Sequence, residues 1–398
     1  MKSIDEINFS GLNVLIRVDF NVPLSNTKEV TDNSRIVAAL PTIKKVVKDG
    51  GKAIIASHLG RPKGVRNNEY SLQHIVPEVI KCLGQNVQFV SDCIGNDVEN
   101  AVNQLNNGEV LLLENVRFYN EETDGDKSFA EKLSQNIDFY INDAFGTAHR
   151  EHASTAVIAR FFKGKAVFGY LMASEIQNVK RVLDSNEKPV TAIVGGAKVS
   201  SKIGIIENLL DRVNNILIGG GMAYTFAKAQ GGEVGKSLVE DDCLELALSI
   251  LSKAKDKGVI IYLPTDSVNA LSFSNESETE ETSIGSIPME MMGLDIGQNS
   301  ITEFSAVIEN SKVILWNGPM GVFEMSNFST GTVEVGNAIV KATKRGAFSL
   351  VGGGDSVAAA KQFDLAKDLS YISTGGGAML EFLEGKVLPG IKAIEEAY

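Results

Sequence analysis

Short apolar segments alternate along the chain with longer segments in which apolar positions recur every three or four residues. This alternation is typical of βαβ units, in which buried parallel strands are connected by amphipathic helices. The apolar segments comprise residues 14–18, 53–56, 110–113, 139–142, 191–194, 215–218, 259–263, 312–316 and 347–351. The pattern therefore predicts an α/β protein built on doubly wound, Rossmann-like parallel sheets.

The longer amphipathic segments predict crossover helices and a division into two domains. Helical periodicity occurs at residues 34–48, 126–135, 241–255 and 330–344. A further helix at residues 171–185 follows Gly169 and precedes Pro189, and we place it between the domains. For a chain of 398 residues, at about 100 to 200 residues per domain, we predict domains at residues 1–170 and 186–387.

Charge and composition narrow the possible partners. A net charge of −12 argues against binding to nucleic acid or to an anionic membrane surface. The N-terminal residues lack the signal-peptide pattern, and no apolar segment reaches the roughly 18 residues of a membrane helix, so we expect a cytoplasmic protein. The three cysteines have no CxxC spacing and indicate neither disulfides nor zinc. The acidic segment 272–286 is predicted to be a solvated surface loop.

Basic side chains follow several predicted strands in the first half of the chain. Arg61, Arg117 and Arg150 come shortly after strands, and His58 shares a loop with Arg61. Ligands of open α/β sheets bind beyond the carboxyl ends of the strands, and a guanidinium fork suits phosphate and carboxylate. One such arginine is more often part of a surface ion pair, but three at matched strand ends favour an anion site.

The first strand ends in polar residues that have two readings. Asp19 and Asn21 alternate onto one face, where they could hold hydroxyl groups of a small ligand. An Asx turn leading into Pro23 explains the same residues equally well. Arg17 lies deeper in the strand, and we interpret it as structural.

Glycine clusters characterise the second half, at residues 195–196, 219–221, 352–354 and 375–377. Glycine lets backbone N–H groups at a helix N-terminus surround phosphate oxygens. No complete Walker A loop is present, because Gln230 stands where its first glycine is required, and GxGxxG is also incomplete. Lys198 and Lys202 are predicted to share one helix face beside phosphate, with solvated lysines as the alternative. Asp355 is a candidate Mg²⁺ ligand.

Nine segments, in order along the whole chain, resemble phosphoglycerate kinase. They are VLIRVDFNVP, SHLGRP, LLLENVRF, NDAFGTAHR, GGAKVSSKIG, GGGMAYTF, LWNGPMGVFE, GGGDS and STGGGAML. The resemblance implies a first domain that binds 3-phosphoglycerate or 1,3-bisphosphoglycerate and a second domain that binds MgADP or MgATP. It also implies that residues 388–398 fold back onto the first domain.

The resemblance assigns site residues by position. Those that match the family's acid-substrate residues are Asp19, Asn21, Arg35, His58, Arg61, Arg117 and Arg150. Those that match its nucleotide residues are Lys198, Lys202, Gly219, Gly220, Asn317, Glu324, Gly352, Gly353, Gly354, Asp355 and Ser356. Asp355 is expected to ligate the Mg²⁺ of the nucleotide. Ser356 replaces the family's usual threonine and keeps the hydroxyl group.

The implied reaction is reversible phosphoryl transfer to a carboxylate, which is ionised at neutral pH and needs no strong general base. We expect Arg35 and Lys202 to stabilise the transferring group, with backbone amides at Gly354 and Gly376. Domain closure is expected at hinges near residues 169–185 and 373–374.

Two other functions stay open on residue patterns alone. A nicotinamide-dependent oxidoreductase is disfavoured by the incomplete GxGxxG. A non-enzymatic binding protein for a phosphorylated metabolite leaves the lysines and glycine clusters unexplained. A monomer is the default expectation, because no large apolar helix face indicates an oligomer.

Overall fold

A computed structural model describes residues 3–397, and the chain forms two compact units. The first unit comprises the residues up to Ile176 together with those from Val387 onward, and the second comprises Gln177–Lys386. The boundary falls within a single helix, Tyr170–Leu183. Within residues 3–397, no helix combines the length and apolarity needed to cross a membrane.

The first unit is built on a six-stranded parallel sheet. Its strands are β1 (Asn13–Val18), β2 (Lys52–Ala56), β3 (Gln88–Val90), β4 (Val110–Leu113), β5 (Phe139–Asp143) and β6 (Ala166–Phe168). They lie in the order β3-β4-β2-β1-β5-β6. Ile16 of the central strand pairs in register with Ile55 and Ile141, and all three side chains are fully buried. The core of the unit therefore forms around β1.

Helices cover this sheet as the periodicity predicts. They are α1 (Ser34–Lys48), α2 (Val76–Leu83), α3 (Asn96–Gln104), α4 (Asn120–Thr123), α5 (Lys127–Leu133) and α6 (Tyr170–Leu183). The expected helix at 34–48 is α1. The helix expected at 126–135 is shorter, because the Asp126 side chain accepts a hydrogen bond from Phe129 N–H (2.7 Å) and caps the first turn.

The second unit contains a second six-stranded parallel sheet and two small sheets. Its strands are β7 (Val190–Val194), β8 (Asn215–Ile218), β9 (Glu233–Val234), β10 (Ile260–Tyr262), β11 (Asp266–Ala270), β12 (Thr279–Ser283), β13 (Ser286–Ile287), β14 (Met292–Ile296), β15 (Val313–Asn317), β16 (Phe348–Val351) and β17 (Tyr371–Ile372). The large sheet has the order β10-β8-β7-β15-β16-β17. The predicted α/β class with parallel sheets is confirmed.

The prediction that residues 272–286 form a surface loop is wrong in part. Its second half forms β12, which pairs antiparallel with β11 along its whole length, and β14 pairs with the other edge of β11. Most β12 side chains are exposed, which is why their polar composition predicted a solvated segment. The segment is nevertheless a strand, because its backbone forms hydrogen bonds with β11.

Along the chain, the helices of the second unit alternate with its strands, and the last helix follows β17. They are α7 (Ile203–Leu209), α8 (Met222–Ala229), α9 (Leu244–Asp256), α10 (Gln298–Glu309), α11 (Thr330–Lys344), α12 (Gly354–Gln362) and α13 (Gly377–Leu383). The helix expected at 330–344 is α11, and α9 begins after a short 3₁₀ turn at Asp241–Cys243. The single tryptophan, Trp316 on β15, is fully buried in this unit's core.

The C-terminal helix α14 (Pro389–Ala397) packs against the first unit. Gly390 N–H donates to the Ala148 carbonyl (2.9 Å), and a Cβ at Gly390 would lie 3.0 Å from Ala148 Cα. Gly164 N–H donates to the carbonyl of Ala397 (2.6 Å). The helix thus supports the loop that follows β5 and carries Arg150.

Asp266, on β11, caps helix α10. Its carboxylate accepts hydrogen bonds from Asn299 N–H (2.7 Å) and Ser300 N–H (3.0 Å). Burial acts to raise the pKa of Asp266, but the hydrogen bonds from Ser300 and Asn299 outweigh it and lower the pKa below its usual 3.8. The resulting stabilisation is complete above that value and is lost as the pH falls through the lower pKa of the folded state.

We predict that Asp266→Ala lowers the free energy of unfolding by about 1–2 kcal/mol, because two helix-terminal N–H groups lose their acceptor. Urea unfolding followed by Trp316 fluorescence measures this, since the only tryptophan lies in the same unit. The matched control is Glu280→Ala on the exposed strand β12, with an expected change within about 0.5 kcal/mol. Equal losses in the two variants would contradict the capping role.

Candidate active site

The polar residues of the first unit follow four neighbouring strands at the same edge of the sheet. Strands β4, β2, β1 and β5 are adjacent and parallel, so their carboxyl ends lie side by side. Arg117 follows β4, His58 and Arg61 follow β2, Asp19 and Asn21 follow β1, and Arg150 follows β5. The fold therefore brings the loops that carry them together, as expected for strand ends.

Backbone and side-chain contacts connect these loops. Arg35, in the first turn of α1, pairs with Asp19 (Nη1 to Oδ2, 2.5 Å). Asn21 Oδ1 accepts from Gly60 N–H (2.7 Å), and Arg117 Nη1 donates to the Gly60 carbonyl (3.0 Å). Gly60 thus holds Asn21 and Arg117 on either side of one peptide segment. The Asx turn considered for Asp19 is also present, because Asn21 N–H donates to Asp19 Oδ1 (3.2 Å).

The arginines of this edge differ in exposure. Arg61 and Arg150 are exposed, and Arg150 Nε donates to His149 Nε2 (3.2 Å). Arg117 is half-buried, and its Nε is buried without a hydrogen-bond partner. Burial, then the charge of Arg17, lower the pKa of Arg117 to about 10, so the group stays cationic at neutral pH. A buried cationic donor with an unused N–H is suited to an anionic ligand.

Two buried histidines at this edge are neutral. Burial, then the charges of Arg17 and Arg117, lower the pKa of His58 well below its usual value. The same causes lower the pKa of His152 to about 3. His152 was not predicted as a site residue, because no sequence motif marks it. Arg17, interpreted as structural, is fully buried, and its Nη2 lies 3.4 Å from His58 Nδ1 and 3.8 Å from Glu122 Oε1.

In the second unit, glycine-rich loops after β7, β15 and β16 enclose a cleft. Lys202 Nζ donates to Asn317 Oδ1 (2.6 Å), and Asn317 Nδ2 donates to the Gly352 carbonyl (2.7 Å). Ser356 Oγ accepts from Gly318 N–H (2.5 Å). The cleft is lined by Gly195, Gly196, Ala197, Ser201, Lys202, Asn317, Gly318, Gly353, Gly354, Asp355, Ser356 and Leu380.

The prediction that Lys198 and Lys202 share one face of a helix is wrong. Residues 197–202 are not helical and end in a turn at 200–202, and α7 begins only at Ile203. Ser201 Oγ donates to the Lys198 carbonyl (2.8 Å), an example of serine hydrogen bonding that competes with helix formation. Lys198 is exposed, whereas Lys202 is partly buried and its pKa is lowered by burial.

The N-terminus of helix α12 contributes N–H groups to this cleft. Gly353 (φ +92°) is the N-cap of α12, so Gly354, Asp355 and Ser356 occupy its first turn, whose N–H groups have no partner within the helix. Gly376 (φ +51°) caps α13 in the same way. Such an end favours an anion.

Five of the predicted nucleotide residues are not among the residues that line the cleft: Lys198, Gly219, Gly220, Glu324 and Gly352. Gly219 packs against Met320, and Gly220 packs against Gly196, which does line the cleft. Glu324 is exposed and is not a lining residue. Their roles, like those of the other site residues, stay predictions.

Comparison with known proteins identifies the family. A family model described as phosphoglycerate kinase matches residues 4–386. The chain belongs to the phosphoglycerate kinase family. The predicted resemblance is thereby confirmed, and the oxidoreductase and binding-protein alternatives are set aside. The activity of the family is that of a phosphotransferase with a carboxyl group as acceptor.

Relatives cover the full chain. A phosphoglycerate kinase from Porphyromonas gingivalis is 52% identical over 99% of this chain and 100% of its own length. A cytosolic phosphoglycerate kinase from Nicotiana tabacum is 49% identical over 99% and 98%. The structure of phosphoglycerate kinase from Coxiella burnetii superposes with a TM-score of 0.92 at 39% identity, covering 99% of both chains.

Gly220 offers a test of the close backbone approach in the nucleotide half of this kinase. Its φ is +68°, and an added Cβ would lie 2.6 Å from Gly196 N. We predict that Gly220→Ala displaces the Gly195-Gly196 turn and weakens ADP binding at least tenfold, which is about 1.4 kcal/mol. Isothermal titration with ADP measures the affinity.

Gly231 supplies the matched control for this substitution. It has φ +91° but nothing within 4 Å of an added Cβ. Gly231→Ala therefore carries the same left-handed backbone cost, about 1–2 kcal/mol, without the collision. We expect unchanged ADP affinity, and a loss of affinity equal to that of Gly220→Ala would contradict the proposed reason.

Proposed function

We propose that this protein catalyses reversible phosphoryl transfer between ATP and 3-phosphoglycerate, giving ADP and 1,3-bisphosphoglycerate, in glycolysis and gluconeogenesis. The first unit binds the acid through Asp19, Asn21, Arg35, His58, Arg61, Arg117 and Arg150. The observation that supports this most directly is the set of arginines on the loops after β2, β4 and β5, together with Arg35 at the start of α1, because the chain as a whole is strongly anionic.

On the acid side, the chemistry requires orientation and charge rather than a base. A carboxylate oxygen of 3-phosphoglycerate attacks the terminal phosphorus of ATP, and the bond from that phosphorus to the bridging oxygen breaks, so ADP leaves with the electron pair. The carboxylate is already ionised. Arg35 is held by Asp19 at one fixed position, and such a preorganised cation stabilises negative charge that develops during transfer.

On the nucleotide side, the cleft of the second unit offers a cation and backbone donors. Lys202, fixed by Asn317, supplies positive charge beside the first turn of α12, and the amides near Gly354 and Gly376 supply N–H groups. Lys198, Gly219, Gly220, Glu324, Gly352, Gly353 and Ser356 complete the proposed nucleotide site.

Mg²⁺ enters with the nucleotide. Among residues 3–397 no three His, Cys, Asp or Glu side chains cluster to form a cage for a metal. Asp355 is an exposed carboxylate in the first turn of α12, which fits an ion bound by substrate phosphates, water and one carboxylate. When bound there, the ion would neutralise phosphate charge during transfer.

Cytoplasmic location, a monomeric state and domain closure about residues 169–185 and 373–374 belong to the same proposal. The tobacco relative is described as cytosolic, which supports the first. That Arg35 and Lys202 act on one and the same phosphoryl group also stays a prediction.

A coupled assay tests the function. Purified protein, ATP, Mg²⁺ and 3-phosphoglycerate are mixed with glyceraldehyde-3-phosphate dehydrogenase, which oxidises NADH as 1,3-bisphosphoglycerate appears. We expect rapid NADH loss that requires the acid and is abolished by EDTA, because the ion screens the phosphates. No NADH loss from a folded, ADP-binding sample would exclude the proposed acceptor.

Arg35→Ala tests the charge-stabilising role. We expect kcat to fall about 100-fold or more with a small change in KM for 3-phosphoglycerate, since a preorganised donor acts mainly on the transition state. Arg66→Ala is the matched control: it removes the same charge in the same unit, but Arg66 pairs with Asp92 outside the proposed site. Equal, mild effects of Arg35→Ala on both constants would contradict the role.

A further inference from the structure

The guanidinium of Arg17 lies in the interior of the first unit, against the ring of His58. It is fully buried, and its Nη2 lies 3.4 Å from His58 Nδ1. The other ring nitrogen, Nε2, faces Asp19 Oδ1 at 3.8 Å. The imidazole of His58 therefore has an arginine on its interior side and the acid-binding edge on the other.

A guanidinium has donors only, and it stays protonated in proteins. The nitrogen that faces it must therefore present a lone pair, because a proton on Nδ1 would point at another N–H. In a neutral imidazole the single ring proton then lies on Nε2. The orientation of Arg17 thus selects one of the two tautomers of His58.

Arg17 is fixed in this orientation by three other contacts. Its Nε donates to Ser154 Oγ (2.7 Å), its Nη1 donates to the Val18 carbonyl, and its Nη2 lies 3.8 Å from Glu122 Oε1. Ser154 in turn donates to the same Glu122 oxygen from its hydroxyl (2.6 Å), and its N–H donates to Oε2 (2.8 Å). The buried carboxylate of Glu122 therefore holds the arginine both directly and through Ser154.

The charges around His58 oppose a second ring proton. Arg17, Arg117 and Arg35 are the cations that face the ring, His152 is a neutral neighbour, and Asp19 is the facing carboxylate. Burial and these cations together outweigh Asp19, and the pKa of His58 is lowered accordingly. The ring thus keeps a single proton under conditions in which an exposed histidine would gain a second.

We propose that Arg17 is a positioning residue: through its Nη2 contact it holds His58 as the neutral Nε2–H tautomer, so that His58 meets the acid substrate as an uncharged hydrogen-bond donor. This inference rests on the proposed function, which places His58 in the acid site. A neutral donor of this kind orients a carboxylate or hydroxyl group without taking up a proton. Substrate binding through His58 is consequently insensitive to pH near neutrality.

Long-range ¹H–¹⁵N NMR of ¹⁵N-histidine-labelled full-length protein, without substrate, tests the tautomer directly. The chain has four histidines, and His58→Gln identifies the relevant signals by their loss. We expect one protonated nitrogen, Nε2, and one unprotonated nitrogen, Nδ1, with no titration between about pH 5 and pH 8, where an unperturbed histidine titrates. A proton on Nδ1, or two protonated nitrogens in that interval, would overturn the proposal.

The double variant Arg17→Met/Glu122→Gln tests whether Arg17 is the cause. It removes the two buried charges together, so neither is left unpaired. We expect His58 to show both tautomers and to titrate at a higher pH than in the wild type. The ratio of the variant's KM for 3-phosphoglycerate to the wild-type KM is then expected to change severalfold between about pH 6 and pH 8; the ratio removes the titration of the substrate's own phosphate, which both proteins share.

Ser154→Ala is the matched control, because it disturbs the same cluster and leaves the guanidinium beside His58. We expect it to retain the Nε2–H pattern. A double variant that also retains this pattern, without titration, would overturn the role of Arg17. The wild-type measurement does not depend on the double variant, so the proposal can fail even if the double variant does not fold.

These readouts separate the inference from the proposed function. The tautomer is read in substrate-free protein and does not depend on turnover. A protein that shows the Nε2–H pattern but no coupled activity would contradict the function alone. An active protein with a proton on Nδ1 would contradict the inference alone.

Discussion

In a parallel sheet all strands run in one direction, so the segments that follow them emerge at one edge. Both units obey this constraint, and both candidate sites lie at such an edge. Residues more than a hundred positions apart, such as Asp19 and Arg150, thereby follow neighbouring strands. The strands themselves are apolar and buried, which leaves the polar chemistry to the connecting loops.

The two units provide for anions by different physical means. The first concentrates guanidinium groups and keeps its buried histidines uncharged, so its positive potential comes from groups that hold their protons at any physiological pH. The second uses few cations and instead exposes backbone N–H groups where glycine permits a close approach, as at Gly353. Within a strongly anionic chain, each proposed site thus creates its own local positive field.

Sequence reasoning recovered what depends on local pattern. The long buried strands and helices such as α1 and α11 follow from periodicity, whereas β3 and β6 are only three residues each and give too short a signal. Strand β12 was missed because its side chains are solvated and only its backbone pairing makes it a strand. Whether the segment at Lys198 is a helix or a turn depends on local hydrogen bonds, such as that from Ser201 to the Lys198 carbonyl, and the four-residue spacing of the lysines does not reveal them.

The candidate site could be predicted from the sequence only in part. Residues that follow strands could be found, because strand ends are visible in the sequence. The cluster of Arg17, Glu122 and Ser154 could not, since its members share no motif and are brought together only by the fold. Contacts of this kind, between residues of long sequence separation, are invisible to periodicity.

The packing of α14 on the first unit has a consequence for synthesis of the chain. The loop that carries Arg150 is translated early, but the helix that supports it comes about 240 residues later. At roughly 5–20 residues per second, the ribosome needs on the order of ten to fifty seconds to supply it. During that interval all six strands of the first unit have been translated, while one wall of its proposed anion site lacks its support. The chain therefore supplies every strand of this core well before it supplies the helix that supports the proposed binding surface.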